Sequence, residues 1–179
     1  MKDTKNRIIP LTIQSRCDLY NGFTHYQLSL NGTLNVGEEY LVFDEYCKTC
    51  VAKYSHIVKT ERFAKEFTYD KDDLGVTYTP KQTTFKVWAP TALSVSVGYV
   101  LNGHKQVVAL KREEHGVFAL TIKKDLNGVH YSYLVRVNGE YKGVTDPYTC
   151  FTGANSQYSV IVDPKTVKLP EKIKMKPMG

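Results

Sequence analysis

Short runs of alternating apolar and polar residues constrain the fold of this chain more than any other feature. Larger apolar groups recur at every second position in three segments, formed by Val95, Val97 and Tyr99, by Phe118, Leu120 and Ile122, and by Tyr131, Tyr133, Val135 and Val137. A period of two places alternate side chains on one face of a strand, so each segment predicts an antiparallel strand with one buried side. No stretch of eleven or more residues has helical periodicity. The predicted fold class is therefore all-β.

Asn-Gly pairs recur along the chain and predict its turns. They are Asn21-Gly22, Asn31-Gly32, Asn102-Gly103, Asn127-Gly128 and Asn138-Gly139. Asn-Gly is the preferred centre of a type I′ hairpin turn, because both residues tolerate the positive φ that this turn requires. Three of the pairs lie between residues 84 and 145 and separate strand-like runs at the spacing of a small immunoglobulin-like β-sandwich. We predict such a sandwich in this part of the chain.

A smaller β domain is predicted to precede the sandwich. Its strand-like segments are Ile8–Ile13, Tyr26–Leu30, Glu39–Phe43 and Val51–Val58. The charged run at residues 70–73 interrupts two strand-rich regions, which is typical of a domain boundary. We therefore predict a small β domain at residues 1–66, the sandwich at residues 67–164 and a Pro- and Lys-rich linker at residues 165–179.

The net charge of +6 raises the question of nucleic-acid binding, and its location argues against that function. Residues 165–179 hold five lysines and one glutamate, so this segment carries +4 and leaves +2 for the 164 residues before it. A basic linker beside a nearly balanced body is weaker evidence for phosphate binding than a basic stripe on a folded face. We expect no nucleic-acid partner.

The cysteines and histidines give no metal or redox signature. Cys47 and Cys50 form one Cys-x-x-Cys pair, which supplies two of the four ligands of a structural zinc site, and no second pair completes it. We expect reduced thiols, no metal and no cofactor. The N-terminal residues are polar and no window approaches the roughly 18 apolar residues of a membrane span. We expect a cytoplasmic chain without membrane contact, although a removed export signal is not excluded.

Several motifs carry a resemblance to a known family. They are Asp73-Leu74-Gly75-Val76-Thr77-Tyr78, Thr84-Phe85-Lys86-Val87-Trp88-Ala89-Pro90, the segment from Asp125 to Tyr133, and Asp146-Pro147-Tyr148. Together they resemble the family 48 carbohydrate-binding module that precedes the catalytic barrel in pullulanases and related starch-debranching enzymes. Residues 55–70 look like the junction before that module in type I pullulanases. The resemblance implies the non-catalytic N-terminal domains of a glycoside hydrolase that cleaves α-1,6 links in glucans.

The catalytic machinery implied by this resemblance does not fit in the chain. A (β/α)₈ barrel takes roughly 250 residues, and the carboxylates that cleave the glycosidic bond lie on its strand ends. The chain has 179 residues. We therefore expect an incomplete product that contains no catalytic residue, is inactive alone, and has the barrel of the same polypeptide as its partner.

Two conspicuous motifs are predicted to be structural. Trp88 is the single tryptophan and the first suspect for a sugar platform, but it lies in a strand motif in which the family uses tryptophan for packing. In the resembling family, the tripeptide Asp146-Pro147-Tyr148 follows a strand at the end of the module. We interpret it as a corner rather than as a catalytic acid.

Tyr141 is the candidate carbohydrate-binding residue. Glycogen-binding members of the family stack sugar on two tryptophans and add a lysine from a neighbouring strand. The resemblance places one tryptophan position at Tyr141 and the lysine position near Leu134, and it places the second tryptophan in residues 100–103, which contain no aromatic residue. Turn residues that could border the same site are Asn102, Lys105 and Asn138, but amide and charged residues at turns are usually only solvated, and we favour that interpretation for each.

Three functions from different classes follow. The first is a non-catalytic part of a pullulanase that packs on the barrel and guides starch, glycogen or pullulan. The second is a stand-alone glucan-binding module, which requires affinity without a partner. The third is a protein-interaction sandwich without glucan affinity, because a fold alone does not specify a function.

Overall fold

The smaller N-terminal part consists of two hairpins and one short helix. We describe the chain from a computed structural model, which covers residues 1–44 and 46–167. The elements of this part are β1 (Leu11–Asp18), β2 (Thr24–Leu30), β3 (Leu41–Phe43), β4 (Thr49–Val51) and α1 (Glu61–Phe67). Strand β1 pairs with β2, and β3 pairs with β4, in both cases antiparallel.

Two antiparallel sheets form the sandwich that follows. Its strands are β5 (Gly75–Thr79), β6 (Gln82–Trp88), β7 (Ser94–Leu101), β8 (His104–Ala109), β9 (Lys111–Arg112), β10 (Val117–Ile122), β11 (His130–Val137), β12 (Glu140–Val144) and β13 (Ser159–Val160). One sheet has the order β5-β6-β10-β9, and the other has the order β12-β11-β7-β8, with β13 also paired to β11. The all-β prediction is confirmed.

The period-two pattern identified the core of the sandwich. Val95, Val97, Tyr131 and Tyr133 are buried in one cluster, and Phe118 joins it from the facing sheet. Burial of apolar side chains contributes about 25 cal/mol per Å² of area removed from water, which makes this cluster the main source of stability of the sandwich. Tyr99 also belongs to this cluster, and the residues of the predicted segments that pack against it are Leu120, Ile122 and Val135.

The predicted type I′ turns occur at two of the five Asn-Gly pairs. Asn102-Gly103 joins β7 to β8 and Asn138-Gly139 joins β11 to β12, with positive φ at both residues of each pair. In the other three pairs, positive φ is found at the glycine and not at the asparagine. Asn127-Gly128 lies in a connection between the two sheets, where the amide of Asn127 donates to Asp125.

The predicted strands of the N-terminal part need correction. Residues 11–18 form β1, whereas the prediction began at Ile8 and ended at Ile13. The predicted strand Val51–Val58 is wrong beyond its first residue, because β4 ends at Val51 and residues 57–59 form a 3-10 turn. There, the amide of Tyr54 donates to Asn138 Oδ1 of the sandwich at 2.9 Å, so this segment is held by a long-range contact rather than by a strand partner.

Helix α1 joins the two parts. It is seven residues long, too short to produce a convincing helical period, and the Thr60 hydroxyl caps it by accepting from the amide of Phe63. Phe63 and Phe67 pack against Trp88 of β6, and Trp88 Nε1 donates to the Phe67 carbonyl at 2.9 Å. The predicted boundary between residues 66 and 67 falls inside this helix and stays a prediction, as does the linker, whose residues 168–179 lie outside the described residues.

Arg112 also ties the N-terminal part to the sandwich. Its guanidinium donates to the carbonyls of Ala92 and Pro90 in the sandwich, each at 2.8 Å, and to the carbonyl of Val36 at 3.3 Å. Burial lowers the pKa of Arg112 from its ordinary value. The same guanidinium occupies the space that a Cβ at residue 37 would need, so glycine permits this close approach.

In the part of the chain that the structure describes, no helix has the length and hydropathy that crossing a membrane requires.

Candidate functional site

Tyr141 stands on the outer face of the sandwich. The Asn138-Gly139 turn reverses the chain so that Tyr141 of β12 pairs with Arg136 of β11, which in turn pairs with Ser94 of β7. Because side chains alternate along β11, the buried Tyr133 points into the core and Arg136 points away from it. Tyr141 is 60% exposed, so its ring is accessible to a ligand.

Arg136 lies against the ring of Tyr141. The guanidinium carbon is 5.4 Å from the ring centroid, and Nη1 is 3.5 Å from the tyrosine hydroxyl. A second residue, Glu39 of the N-terminal part, holds the guanidinium from the other side, with Oε1 at 2.8 Å from Nη2 and Oε2 at 3.2 Å from Nε. The hydrogen bond to Glu39, followed by that to Tyr141, raises the pKa of Arg136 above its ordinary value.

The surface beside Tyr141 is low and open. Gly143 follows Tyr141 on the same face of β12, and no atom lies within 4 Å of the position that a Cβ on Gly143 would take. Leu134 pairs with Gly143, and Ser96 pairs with Leu134, so a partly exposed leucine and a serine hydroxyl continue the face across the sheet. We call Ser96, Leu134, Arg136, Tyr141 and Gly143 the Tyr141 face. An exposed aromatic ring beside an open surface is suited to the apolar side of a pyranose.

Asn102 and Lys105 do not border this face. They lie at or next to the β7–β8 turn, whereas Tyr141 is on β12 at the opposite edge of the sheet. Adjacent strands are about 4.8 Å apart, so the two edges are separated by roughly 14 Å. Lys105 pairs with Val100 of β7, whereas Tyr141 is in register with Ser94 through Arg136, so the two positions are also six residues apart along β7. These two residues therefore occupy the other end and the other edge of the sheet, which agrees with their interpretation as solvated turn residues.

Asn138 is close to Tyr141 in the chain but is already engaged. Its side-chain oxygen accepts the amide hydrogen of Tyr54, which anchors the N-terminal part on the turn. Gly139 packs beside Val51, with 2.9 Å between the position of a Cβ at residue 139 and Val51 Cγ2. The structure therefore assigns the turn to the joint between the two parts.

A polar groove of about 810 Å³ lies at the other end of the sandwich. Its lining includes Asn102, Asp125, Asn127 and His130. Among the residues that line it, none is a phenylalanine, tyrosine or tryptophan, and the His130 ring is stacked on Tyr158 with 4.3 Å between centroids. This groove offers amides and a carboxylate but no free aromatic platform, which makes it less suited to glucan than the Tyr141 face.

A second groove, of about 650 Å³, separates the two N-terminal hairpins. Its lining is mostly apolar and includes Ile13 and Leu28 from β1 and β2 and Phe43 from β3, next to Tyr26 and Tyr46. Ile13 is 61% exposed although it lies in a strand. Two-stranded hairpins are marginally stable alone, and a contiguous exposed apolar patch is typical of an interaction surface.

Asp146 is structural, as the sequence predicts. Its carboxylate is buried and accepts hydrogen bonds from the hydroxyl of Tyr131 at 2.7 Å, the hydroxyl of Tyr133 at 3.4 Å and the amide of Tyr148 at 2.9 Å. Burial raises the pKa of both Tyr131 and Tyr133, so both hydroxyls remain donors. Within the described residues, no group of three or more His, Cys, Asp or Glu is arranged to hold a metal ion.

Comparison with known proteins identifies the sandwich. Residues 73–149 match the family model described as carbohydrate-binding module 48, the isoamylase N-terminal domain. Residues 73–149 are a family 48 carbohydrate-binding module. The resemblance inferred from the sequence motifs is thereby confirmed, and the matched range includes every strand from β5 to β12.

The family 48 module and the segment before it are similar to the front of longer proteins. A pullulanase of Bacillus subtilis (strain 168) is 34% identical over 113 residues, which cover 63% of this chain and 16% of that protein. The crystal structure of a pullulanase from Anoxybacillus sp. LM18-11 complexed with maltotriose matches 94% of this chain with a TM-score of 0.82 and 30% identity. The type I pullulanase of Bacillus subtilis str. 168 complexed with maltose matches 92%, with a TM-score of 0.79 and 27% identity.

These matches define which part of such proteins the chain resembles. The chain spans about a quarter of the solved relatives, 24% and 23% of their lengths, and a smaller share of the curated one. Because the structural match covers nearly all of this chain, it includes the two N-terminal hairpins as well as the family 48 module. The chain has the fold of the N-terminal region of type I pullulanases.

Sequence reasoning singled out Tyr141 as a candidate, which stays a prediction, and it did not point to Arg136 or Glu39. The sequence could have indicated Arg136, because it follows Leu134 by two residues and therefore lies on the same face of the strand. Glu39 lies 97 residues before Arg136, and the local sequence carries no signal that pairs them.

Proposed function

We propose that this chain is the non-catalytic N-terminal region of a pullulanase-type debranching hydrolase, and that its family 48 module binds α-glucan at the Tyr141 face. The observation that carries the proposal is the exposed Tyr141 ring on the outer face of the module. The family resemblance implies that this position is one at which glycogen-binding members carry a tryptophan. Tyrosine keeps the aromatic face for stacking and adds a hydroxyl for hydrogen bonding.

The glucans of this proposal are pullulan, glycogen and starch. Solved relatives of the chain are pullulanases in complex with maltotriose and with maltose. A single tyrosine with an open floor beside it suits one or two glucose units of a longer chain, so we expect each contact to be weak and to recur along a polysaccharide. Weak, repeated contact of this kind would guide branched substrate without retaining it.

The same proposal includes a binding partner for the apolar groove between the N-terminal hairpins. The apolar residues Ile13, Leu28 and Phe43 line it, and two of them belong to the β1–β2 hairpin, whose strands pack mainly on each other. The relatives continue for several hundred residues beyond the region that this chain matches. The catalytic barrel of the same polypeptide is the partner that we propose for this surface.

Affinity electrophoresis tests the glucan site. The unmodified chain should be retarded in gels that contain glycogen or pullulan, and Tyr141→Ala should weaken the affinity about tenfold, the effect of losing roughly 1.4 kcal/mol of stacking. Tyr20→Ala is the matched control, because Tyr20 is an exposed tyrosine at the tip of the β1–β2 hairpin. Its retardation should equal that of the unmodified chain.

Equal retardation of the unmodified chain and Tyr141→Ala would place the site elsewhere. No retardation of any variant would leave the module a structural unit and would remove glucan binding from the proposal.

A further inference from the structure

We propose that Glu39 is a positioning residue for the glucan site: it holds Arg136 against one face of Tyr141, so that the ring is fixed and presents its other face to the sugar. This inference rests on the proposed function, because it assigns a role at the same site. It adds that the site is built by two parts of the chain, since Glu39 precedes β3 and Arg136 and Tyr141 belong to the module.

The geometry of the ion pair supports a positioning role. Glu39 receives Arg136 in the forked arrangement, with both carboxylate oxygens engaged at 2.8 and 3.2 Å. The side chain of Glu39 is 14% exposed and that of Arg136 is 33% exposed. A two-point contact that is largely shielded from water fixes the plane of the guanidinium, whereas a single exposed contact would leave it mobile.

The exposed ion pairs near the site differ from this one. Lys53 approaches Glu140 at 3.8 Å and Lys142 approaches the same residue at 3.9 Å, and all three side chains are more than half exposed. Such pairs contribute little and restrict little. Among the charged contacts around the turn, the pair of Glu39 and Arg136 is therefore the one that can impose an orientation.

Fixing Arg136 has a direct consequence for Tyr141. The guanidinium lies over the ring at 5.4 Å and its Nη1 reaches the hydroxyl at 3.5 Å, so both the plane and the far end of the ring are restrained. An exposed tyrosine on an edge strand otherwise samples several rotamers, and ordering it on binding costs conformational entropy. A ring that is already held loses less entropy when sugar stacks on it.

Affinity for maltohexaose, measured by calorimetry on the 179-residue chain, tests the proposal. Glu39→Gln keeps the shape of the side chain but removes the charge that grips the guanidinium, and it should weaken the affinity about fivefold, equivalent to roughly 1 kcal/mol of lost preorganisation. Asp73→Asn is the matched control. It breaks the Lys86–Asp73 ion pair, 2.5 Å long, on the other sheet of the module, and it should leave the affinity unchanged.

A second measurement reports the orientation of Tyr141 without any ligand. NMR spectra of the chain with ¹³C-labelled tyrosine show the ring signals of Tyr141, which the Tyr141→Phe variant assigns. The chemical shifts of these signals should change in Glu39→Gln and stay the same in Asp73→Asn. A loss of folding stability alone would not shift one tyrosine selectively. Thermal melting of each variant shows that it is folded at the temperature used.

The possible results separate the two claims. Unchanged affinity and unchanged Tyr141 signals in Glu39→Gln, with affinity lost in Tyr141→Ala, would overturn the positioning role and leave the proposed function in place. Equal weakening in Glu39→Gln and Asp73→Asn would also overturn it, because the effect would then be general. Absence of maltohexaose binding by the unmodified chain would overturn the proposed function and this inference together.

Discussion

At the scale of one residue, Thr83 of β6 is a polar side chain buried in the core of the sandwich. Thr83 lies on the core side of the strand and is fully buried, and among the described residues its Oγ1 has no hydrogen-bond partner. Burying an unpaired hydroxyl costs free energy that a methyl group of the same shape does not. We expect Thr83→Val to raise the free energy of unfolding by about 1 kcal/mol, measured by urea denaturation.

The next residue provides the control for that prediction. Thr84 points to the opposite face of β6, where its hydroxyl is 2.9 Å from that of Thr121 on β10. Thr84→Val should lower the free energy of unfolding or leave it unchanged, because it removes a formed hydrogen bond. A decrease for Thr83→Val would contradict the account and would indicate that a water molecule satisfies the buried hydroxyl.

At the scale of elements, a comparison of the two type I′ turns measures how tightly the N-terminal part packs on the sandwich. Gly103 and Gly139 are the second residues of the two type I′ turns, with φ of +77° and +80°. A Cβ at 103 would meet no atom within 4 Å, whereas one at 139 would lie 2.9 Å from Val51 of β4. Alanine at either position adopts a left-handed conformation at a cost of about 1–2 kcal/mol, and only Gly139→Ala must also displace a neighbour.

Gly139→Ala should therefore be less stable than Gly103→Ala by about 1 kcal/mol in thermal or urea denaturation. The difference between the two variants isolates the packing of β4 on the β11–β12 turn, since the backbone cost is shared. Equal losses would mean that the N-terminal hairpin does not press on this turn in solution.

These elements also show how far the sequence alone predicts the fold. The alternating segments at residues 95–99 and 131–137 identified strands and their buried faces, because a period of two follows directly from strand geometry. Helix α1 was missed, since seven residues contain two turns and give no measurable period. The segment after Val51 was predicted as a strand on local composition, but its Tyr54 amide bonds to Asn138, 84 residues away. Contacts at such separation leave no local pattern.

The same limit applies to the candidate site. Tyr141 was proposed from the family resemblance, and its exposure follows from its position on an edge strand. Asn102 and Lys105 lie far from Tyr141, because turn residues that look alike in sequence lie at opposite ends of the sheet, and the sequence alone does not give that distance. Glu39 contributes from the N-terminal part, and its partner becomes visible only in the folded chain.

At the scale of the whole molecule, Tyr54 helps to hold the N-terminal part on the sandwich. Its hydroxyl donates to the Glu38 carbonyl while its amide holds Asn138, and burial, reinforced by the nearby Tyr40, raises the pKa of Tyr54 to about 12. In the unfolded chain a tyrosine has a pKa of about 10. The folded pKa exceeds the unfolded one, so the contribution of Tyr54 to stability is complete below pH 10 and is lost as the pH rises toward 12.

We therefore expect the unmodified chain to be more stable than Tyr54→Phe at pH 9, and we expect this difference to shrink between pH 10 and pH 12. Urea denaturation at several pH values measures it, and Tyr20→Phe, at an exposed tyrosine of the β1–β2 hairpin, is the matched control. A difference that stays constant up to pH 12 would contradict the burial of the Tyr54 phenol at the joint.

The central claim is that glucan meets the chain at Tyr141, on a surface that the N-terminal part helps to build. The most direct measurement is a titration of the ¹⁵N-labelled chain with maltohexaose, followed by amide chemical shifts. The account predicts that the shifted amides cluster at residues 134–143 and extend to Glu39. Shifts confined to the β7–β8 turn or to the N-terminal hairpins, or no shifts at millimolar maltohexaose, would contradict it.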